Sequence, residues 1–229
     1  MVYKRPFKCL KTVMANLVTV FVVMGIIVSG FRIGADGLNM NYYFVESVVK
    51  DIVNRALEDD PSLAAPLLRM HFHDCFIQII NILTRSKIED TINLPFPNLN
   101  AFDLIKMFGQ HGFSAQEMVA LSGAHTIGVA RCSSFKNRLT KIDPNLNSEF
   151  AKTLSRTCSD GDNAEQPFDE TRDDFDNLYI DALVSGNGVL ASNQTLFTSP
   201  RTRNFVNSYT KPSLVLLGFS TSHGQNELA

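Results

Sequence analysis

Apolar positions along this chain fall into a few helical stripes separated by polar or proline-containing breaks. From Tyr42 to Leu57, the residues Val45, Val48, Val49, Ile52, Val53 and Ala56 recur at three- and four-residue spacings, while Glu46, Lys50, Asp51 and Arg55 take the opposite side. That period predicts an amphipathic helix. Asp59-Asp60-Pro61-Ser62 stops it and starts the next. With Asp60 or Ser62 as cap, Leu63 to Phe76 reads as a second helix, and Pro66 lies early enough in it to be tolerated. Ile79 to Leu83 is apolar but fits no period, and Leu94-Pro95-Phe96-Pro97 predicts a rigid extended loop. Ala101 to Gln110 is again helical, with Gly112 as its stop. Ser114-Ala-Gln-Glu117 forms a capping box ahead of Met118, Val119 and Leu121. The stretch from Asp143 to Asp176 is polar and loop-rich with short helical pieces. Phe175 to Val184 predicts a further helix, closed by Gly186 and Gly188. Alternating strand patterns are almost absent and no segment repeats, so the predicted fold class is mainly α.

The first residues have a different character. Lys4, Arg5, Lys8 and Lys11 precede an apolar run, Val13 to Val28, broken only by Asn16 and Thr19, and Val28 and Gly30 are small enough to flank a cleavage point. This is the pattern of a secretory signal over residues 1–30, with a mature chain beginning near Phe31. An uncleaved signal anchor also fits a run of this length. Export would remove Cys9 and leave Cys75, Cys132 and Cys158, an odd number that leaves one thiol without an intrachain partner. The remaining composition is that of a globular protein: 45% hydrophobic, 10% aromatic and 19% charged, within 229 residues. That length suits one large domain or two small ones. With 21 Lys+Arg against 23 Asp+Glu, no basic surplus exists to track a phosphate backbone, which argues against nucleic acid as a partner.

Two segments carry candidate chemistry. In Arg69-Met-His71-Phe-His73-Asp74-Cys75, Arg69 and His73 are four residues apart and share a helical face. A guanidinium beside an imidazole suits proton transfer combined with stabilisation of developing negative charge. On spacing alone, a partly buried helix with hydrogen-bonded histidines explains the segment better. A zinc site explains it less well, because His71 and His73 face apart and no Cys/His ligand set follows. The second segment, Leu121-Ser-Gly-Ala-His125-Thr126-Ile-Gly128, sets one histidine among small residues. Such a histidine is either a metal ligand approached by something flat or a core residue with a backbone partner.

Taken together the segments are specific. Leu67-Leu-Arg-Met-His-Phe-His-Asp-Cys-Phe76 and Val119-Ala-Leu-Ser-Gly-Ala-His-Thr-Ile-Gly128 resemble signatures of the class III secretory haem peroxidases of plants. Pro61 to Ala65, Asp90 to Pro95, Arg131 to Phe135 and Phe175 to Tyr179 resemble the same family in the same order. The resemblance covers most of Tyr42 to Tyr209. It implies a haem-peroxidase fold of distal and proximal helical domains, here a distal remnant over residues 31–93 and a proximal domain over 94–210. It implies haem b and calcium as cofactors, hydrogen peroxide and small phenols as substrates, a role in oxidative stress, and a monomer secreted to the extracellular space or cell wall. By that resemblance His125 ligates the haem iron. His73 takes a proton from peroxide and returns it to the leaving oxygen. Arg69 stabilises the charge of the breaking O–O bond, Phe72 walls the haem edge, and Pro95 meets aromatic donors. Asp74 and the carbonyl of Ile77 match ligands of a distal calcium. Thr126, Asp169, Thr171 and Asp176 match a proximal one, with Asp169 and Thr171 one residue closer than usual. Cys132 and Cys158 match one family disulfide.

The chain also departs from that family. After Gln78 the family continues with Gly-Cys-Asp and a long distal stretch, whereas this chain runs through Ile79 to Leu83 and rejoins near Arg85. Ile80 stands where the family has the cysteine that pairs with the one matching Cys75, which accounts for the odd thiol. Tyr42-Tyr43 meets Phe44 without the usual intervening Cys-Pro, and residues 211–229 match nothing. One family disulfide in four is therefore expected. Asn193, in Val189-Leu-Ala-Ser-Asn-Gln-Thr-Leu-Phe197, stands where the family has an Asp that accepts the proximal imidazole N–H. The same change creates an Asn-Gln-Thr sequon at a position expected to be buried.

Overall fold

A computed structural model of the chain describes residues 42–76, 91, 94–140 and 143–211. The expected signal, Ile77, the apolar stretch 79–83 and the segment 212–229 lie outside the described residues.

Helix α1 (Tyr42–Asp59) runs two residues past its expected end. A tight turn, Pro61–Leu63, follows, with the Asp60 carboxylate accepting the Ser62 N–H at 3.0 Å. Helix α2 (Ala64–Phe76) carries Arg69, Phe72 and His73. Helix α3 (Ala101–Gln110) is capped by Asn100 and ends before Gly112, whose φ of 85° a side chain would disfavour. Helix α4 (Ala115–Ser122) has the expected capping box: Ser114 Oγ accepts the Glu117 N–H, and Glu117 Oε2 accepts the Ser114 N–H at 2.7 Å.

Beyond α4 the sequence pattern was less complete. A tight turn, Gly123–Thr126, presents His125, and strand β1 (Val129–Arg131) leaves it. Helices α5 (Asn137–Thr140) and α6 (Ser148–Cys158) precede strand β2 (Glu165–Pro167). β1 and β2 pair antiparallel, with Ala130 opposite Gln166. Three residues are too few to display an alternating pattern, so this ribbon had no sequence signature. The predicted helix from Phe175 begins only at Leu178, as α7 (Leu178–Val184). The reason is the Asp176 carboxylate, which accepts the Leu178 N–H, the Thr171 hydroxyl and, from fifty residues away, the Thr126 hydroxyl, and so holds residues 171–176 in turns. Helices α8 (Ala191–Thr198) and α9 (Arg203–Ser208) close the described chain.

Among the described residues, the core lies almost wholly in residues 94–210. Met118, Val119, Phe135, Leu154, Tyr179, Leu183, Val189 and Val206 are fully enclosed. Among the described side chains of the first two helices, Phe76 alone is fully buried in it, and packs on Phe108 at 5.0 Å and on His111 at 4.0 Å between ring centroids. Other apolar residues of these helices stay in solvent: Ile52, expected on the inner face of α1, is 59% exposed, and Met70 of α2 is 45% exposed. The stripe is present, but the described chain covers only part of it.

Two covalent or ionic ties hold the proximal half. Cys132 and Cys158 form the expected disulfide, across 26 residues of chain. Closing a loop of that length removes roughly 3–4 kcal/mol of unfolded-chain entropy in the loop-closure model. Replacing both cysteines by alanine is therefore expected to lower the melting temperature by about 6–16 °C, measurable by differential scanning calorimetry. Arg138 is buried, and its Nε donates to Asp143 at 2.7 Å. Its Nη1 donates to the carbonyls of Gly188 and Val189, which fixes the approach to α8.

Candidate functional site

The α2 face predicted to act in proton transfer is formed as expected. Arg69 Nε points at His73 Nε2 at 3.5 Å, a long and weak hydrogen bond in which the imidazole nitrogen is the acceptor. A helix places i and i+4 side chains together, so this juxtaposition follows from the sequence spacing itself. Phe72 lies on the adjoining face, where its ring packs on Phe76 at 4.9 Å and Phe108 at 6.3 Å, and edge-on to His73 at 6.2 Å. The Arg69–His73 pair is thus anchored through Phe72 to α3. Asp74 continues α2.

The second segment presents His125 from the turn between α4 and β1. Its ring faces Phe168 at 4.7 Å and lies edge-on to Tyr179 at 6.0 Å. Nδ1 of His125 is 3.2 Å from Nδ2 of Asn193, on α8. As placed, Nδ2 donates and Nδ1 accepts, which puts the ring proton on Nε2; with the Asn193 amide turned over, Oδ1 would accept an Nδ1 proton and Nε2 would be the nitrogen suited to bind a metal. The protein around His125 removes water and lowers its pKa to about 4, opposed by the Asn193 hydrogen bond and assisted by the positive charge of Arg69. The ring is therefore neutral at physiological pH, the form in which imidazole ligates metals. The influence of Arg69 also ties the α2 face electrostatically to His125. Gly128, three residues on, lets the N-terminal part of α2 approach: at its φ of 92°, a Cβ there would lie 2.7 Å from the Cβ of Ala65.

A buried neutral histidine links stability to pH. His125 binds a proton at pH 6.5 when unfolded and at about 4 when folded, so the unfolded chain carries more protons between those values. Its contribution is complete above pH 6.5 and falls by about 3 kcal/mol as pH drops to 4. Urea midpoints of the haem-free chain are expected to fall over this window, and His125→Gln is expected to flatten the slope.

The four residues predicted around a proximal calcium are brought together. Thr126 Oγ donates within 2.8 Å of Asp169 and 3.0 Å of Asp176. Thr171 Oγ contacts the same two carboxylates, at 3.2 Å and 2.8 Å. Burial raises the pKa of Asp169, and the charge of Asp176 adds to the rise. Two close carboxylates with hydroxyls between them form an all-oxygen set suited to a hard cation. No cluster of three or more His, Cys, Asp or Glu side chains occurs among the described residues; this set has two carboxylates, its other donors being threonines.

Pro95 is partly buried in the loop before α3. Pro97 O accepts the Ser192 N–H at 2.9 Å and Thr195 Oγ accepts the Ala101 N–H at 3.1 Å, so that loop is fastened to α8, the helix carrying Asn193. Phe168 was not foreseen beside His125. It sits at the end of the β2 ribbon, and without a readable ribbon nothing in the sequence put it there.

A family model described as Peroxidase matches residues 83–212. Peroxidase 47 of Arabidopsis thaliana is 46% identical, with 87% of this chain and 85% of that protein covered. Its comparison runs over 277 positions, more than the 229 residues present here, so the relative has residues with no counterpart in this chain. Peroxidase 66 of the same plant is 30% identical over 75% of this chain and 81% of its own length. Cationic peroxidase SPC4 of Sorghum bicolor is 28% identical over 77% and 73%. The helical architecture, the paired cysteines and these matches agree: the chain belongs to the peroxidase family, as a class III plant peroxidase of shortened sequence.

Proposed function

We propose that this chain reduces hydrogen peroxide at a haem b group and oxidises phenolic donors by single-electron steps, as a secreted monomer acting in the extracellular space or cell wall under oxidative stress. The observations that carry this reading are Arg69 beside His73 on α2, and His125 against Asn193 within electrostatic reach of Arg69. The donor set suits haem with the Asn193 amide turned so that Oδ1 accepts the Nδ1 proton, since a neutral imidazole with Nε2 available is the ordinary protein ligand of haem iron. When bound, the haem supplies the redox chemistry that amino-acid side chains lack.

The side chains would do the rest. His73 accepts a proton from one peroxide oxygen and delivers it to the other, which leaves as water. Arg69 offsets the negative charge that grows on the departing oxygen. Two donor molecules each give up one electron, and with two protons the second oxygen is also reduced to water. Pro95 would meet the donor at the site's edge, and Phe72 would limit how far it enters. Thr126, Asp169, Thr171 and Asp176 would hold calcium next to His125, and Asp74 with the Ile77 carbonyl a second calcium next to His73. The division into residues 31–93 and 94–210 belongs to the same proposal.

A non-catalytic exported fragment is the competing reading, favoured by the exposure of Ile52 and Met70 on the helices that should wall the distal side. Expression with haem and calcium in an oxidising compartment separates the two. A Soret band is expected for the chain and not for His125→Ala. No haem uptake by the unmodified chain would exclude the peroxidase reading.

A further inference from the structure

Asn193-Gln194-Thr195 is the chain's only Asn-X-Ser/Thr sequence outside X = Pro. In the fold, all three residues are committed. Asn193 is 3% exposed and Gln194 2%. Gln194 accepts the Gly188 N–H and donates to the Leu183 carbonyl. The Thr195 hydroxyl accepts the Ala101 N–H. Asn193 Nδ2, the atom to which an N-glycan would be joined, lies against His125.

We infer that Asn193 is an N-glycosylation acceptor only before α8 packs, so that a glycan on Asn193 and the folded proximal histidine site exclude each other. The reading rests on the proposed export. Glycosylation joins Nδ2 to C1 of the first sugar of a lipid-linked oligosaccharide; the amide loses a proton and the lipid diphosphate leaves. It needs a sequon that an enzyme can reach and whose hydroxyl is available. Helix α8 offers neither, because Asn193 and Gln194 are buried and the Thr195 hydroxyl is bonded to Ala101. A glycan already present would bring a large polar group to a position now 3% exposed. It would also take the place of the hydrogen that Nδ2 directs toward His125.

The order of synthesis makes this a competition. Every partner named above precedes the sequon, so α8 has its packing surface already made when it emerges. Anything that slows packing of the earlier segments extends the interval in which Asn193 is accessible. The Cys132–Cys158 disulfide is the readiest lever, because a reductant prevents it without changing the sequence.

The test is cell-free translation of the full chain with endoplasmic-reticulum microsomes, with and without reductant. Luminal chains, recognised by protection from external protease, are expected to divide into two bands, the upper removed by peptide N-glycosidase and absent in Asn193→Gln and Thr195→Ala. The upper fraction is expected to rise at least twofold under reductant. After the vesicles are opened, the lower band should keep a trypsin-resistant portion that the upper band lacks. Glycosylated chains as resistant as unglycosylated ones, or luminal reduced chains with no upper band, would overturn the inference. A chain digested by external protease refutes the export reading, and this inference with it.

Discussion

Replacing His73 by alanine is expected to lower peroxide turnover by about a hundred- to ten-thousand-fold, the usual loss on removing a general acid–base group, while haem uptake is retained. The two effects separate because the proposed roles lie on different elements. His73 stands on α2, and the iron ligand His125 stands in the turn after α4. The Arg69 guanidinium directs a hydrogen toward His73 Nε2, so that nitrogen carries a lone pair rather than a proton, and the 3.5 Å contact is weak enough to give way to a peroxide proton. Its removal leaves Arg69 to stabilise charge with no group to shuttle the proton. Stopped-flow mixing with peroxide, following the Soret band, measures the step directly. A rate within threefold of the unmodified chain would show that His73 is not the base. Arg69→Leu is the companion variant, and its loss should be smaller, because the base is retained.

How much of this was readable from the sequence depended on whether the signal was local. Helix α2 and its Arg69–His73 face followed from a four-residue spacing, and the α4 cap from Ser114 and Glu117; both are fixed by residues in contact with their near neighbours. The failures were all long-range. Phe175 to Asn177 looked helical until Asp176 was engaged by Thr126, fifty residues away. Helix α8, whose Ser192, Asn193 and Gln194 are all buried, lacks the polar outer face that marks a surface helix, and its pattern gave no period. The β1–β2 ribbon needed pairing across the Cys132–Cys158 loop. Ile52 shows the converse: a regular apolar stripe predicts a helix correctly but cannot say whether anything covers it. The proximal threonine–carboxylate set was legible only through family resemblance, because two threonines and two aspartates in a polar loop carry no spacing rule of their own.

Restoring a carboxylate at position 193 is the change expected to raise activity. Asn193→Asp should increase the rate of peroxide cleavage by about ten- to a hundred-fold, the usual weight of a group that orients and polarises a metal-bound histidine. In the haem-loaded protein it should also lower the iron reduction potential, measurable by redox titration. The physical reason lies in the 3.2 Å contact with His125 Nδ1. An amide can only share a neutral hydrogen bond there, whereas a carboxylate draws the Nδ1 proton and leaves the ring a stronger electron donor at Nε2. The same argument fixes a result without haem. His125 now titrates at about 4, because burial outweighs the help given by Asn193. A negative charge at hydrogen-bond distance favours imidazolium, so the His125 pKa must rise in the variant, observable by NMR of the ring protons. Burying that charge has a cost, because position 193 is 3% exposed and an unpaired buried carboxylate is destabilising. Stability of the haem-free variant should therefore fall at high pH, where His125 is neutral, and recover as pH drops and the pair forms. Because Asn193→Asp also abolishes the sequon, Thr195→Ala is the necessary comparison: it removes the glycan acceptor but leaves the neutral amide against His125. A gain in rate seen in both would point to glycosylation as the limiting defect, and a gain confined to Asn193→Asp to the imidazole itself.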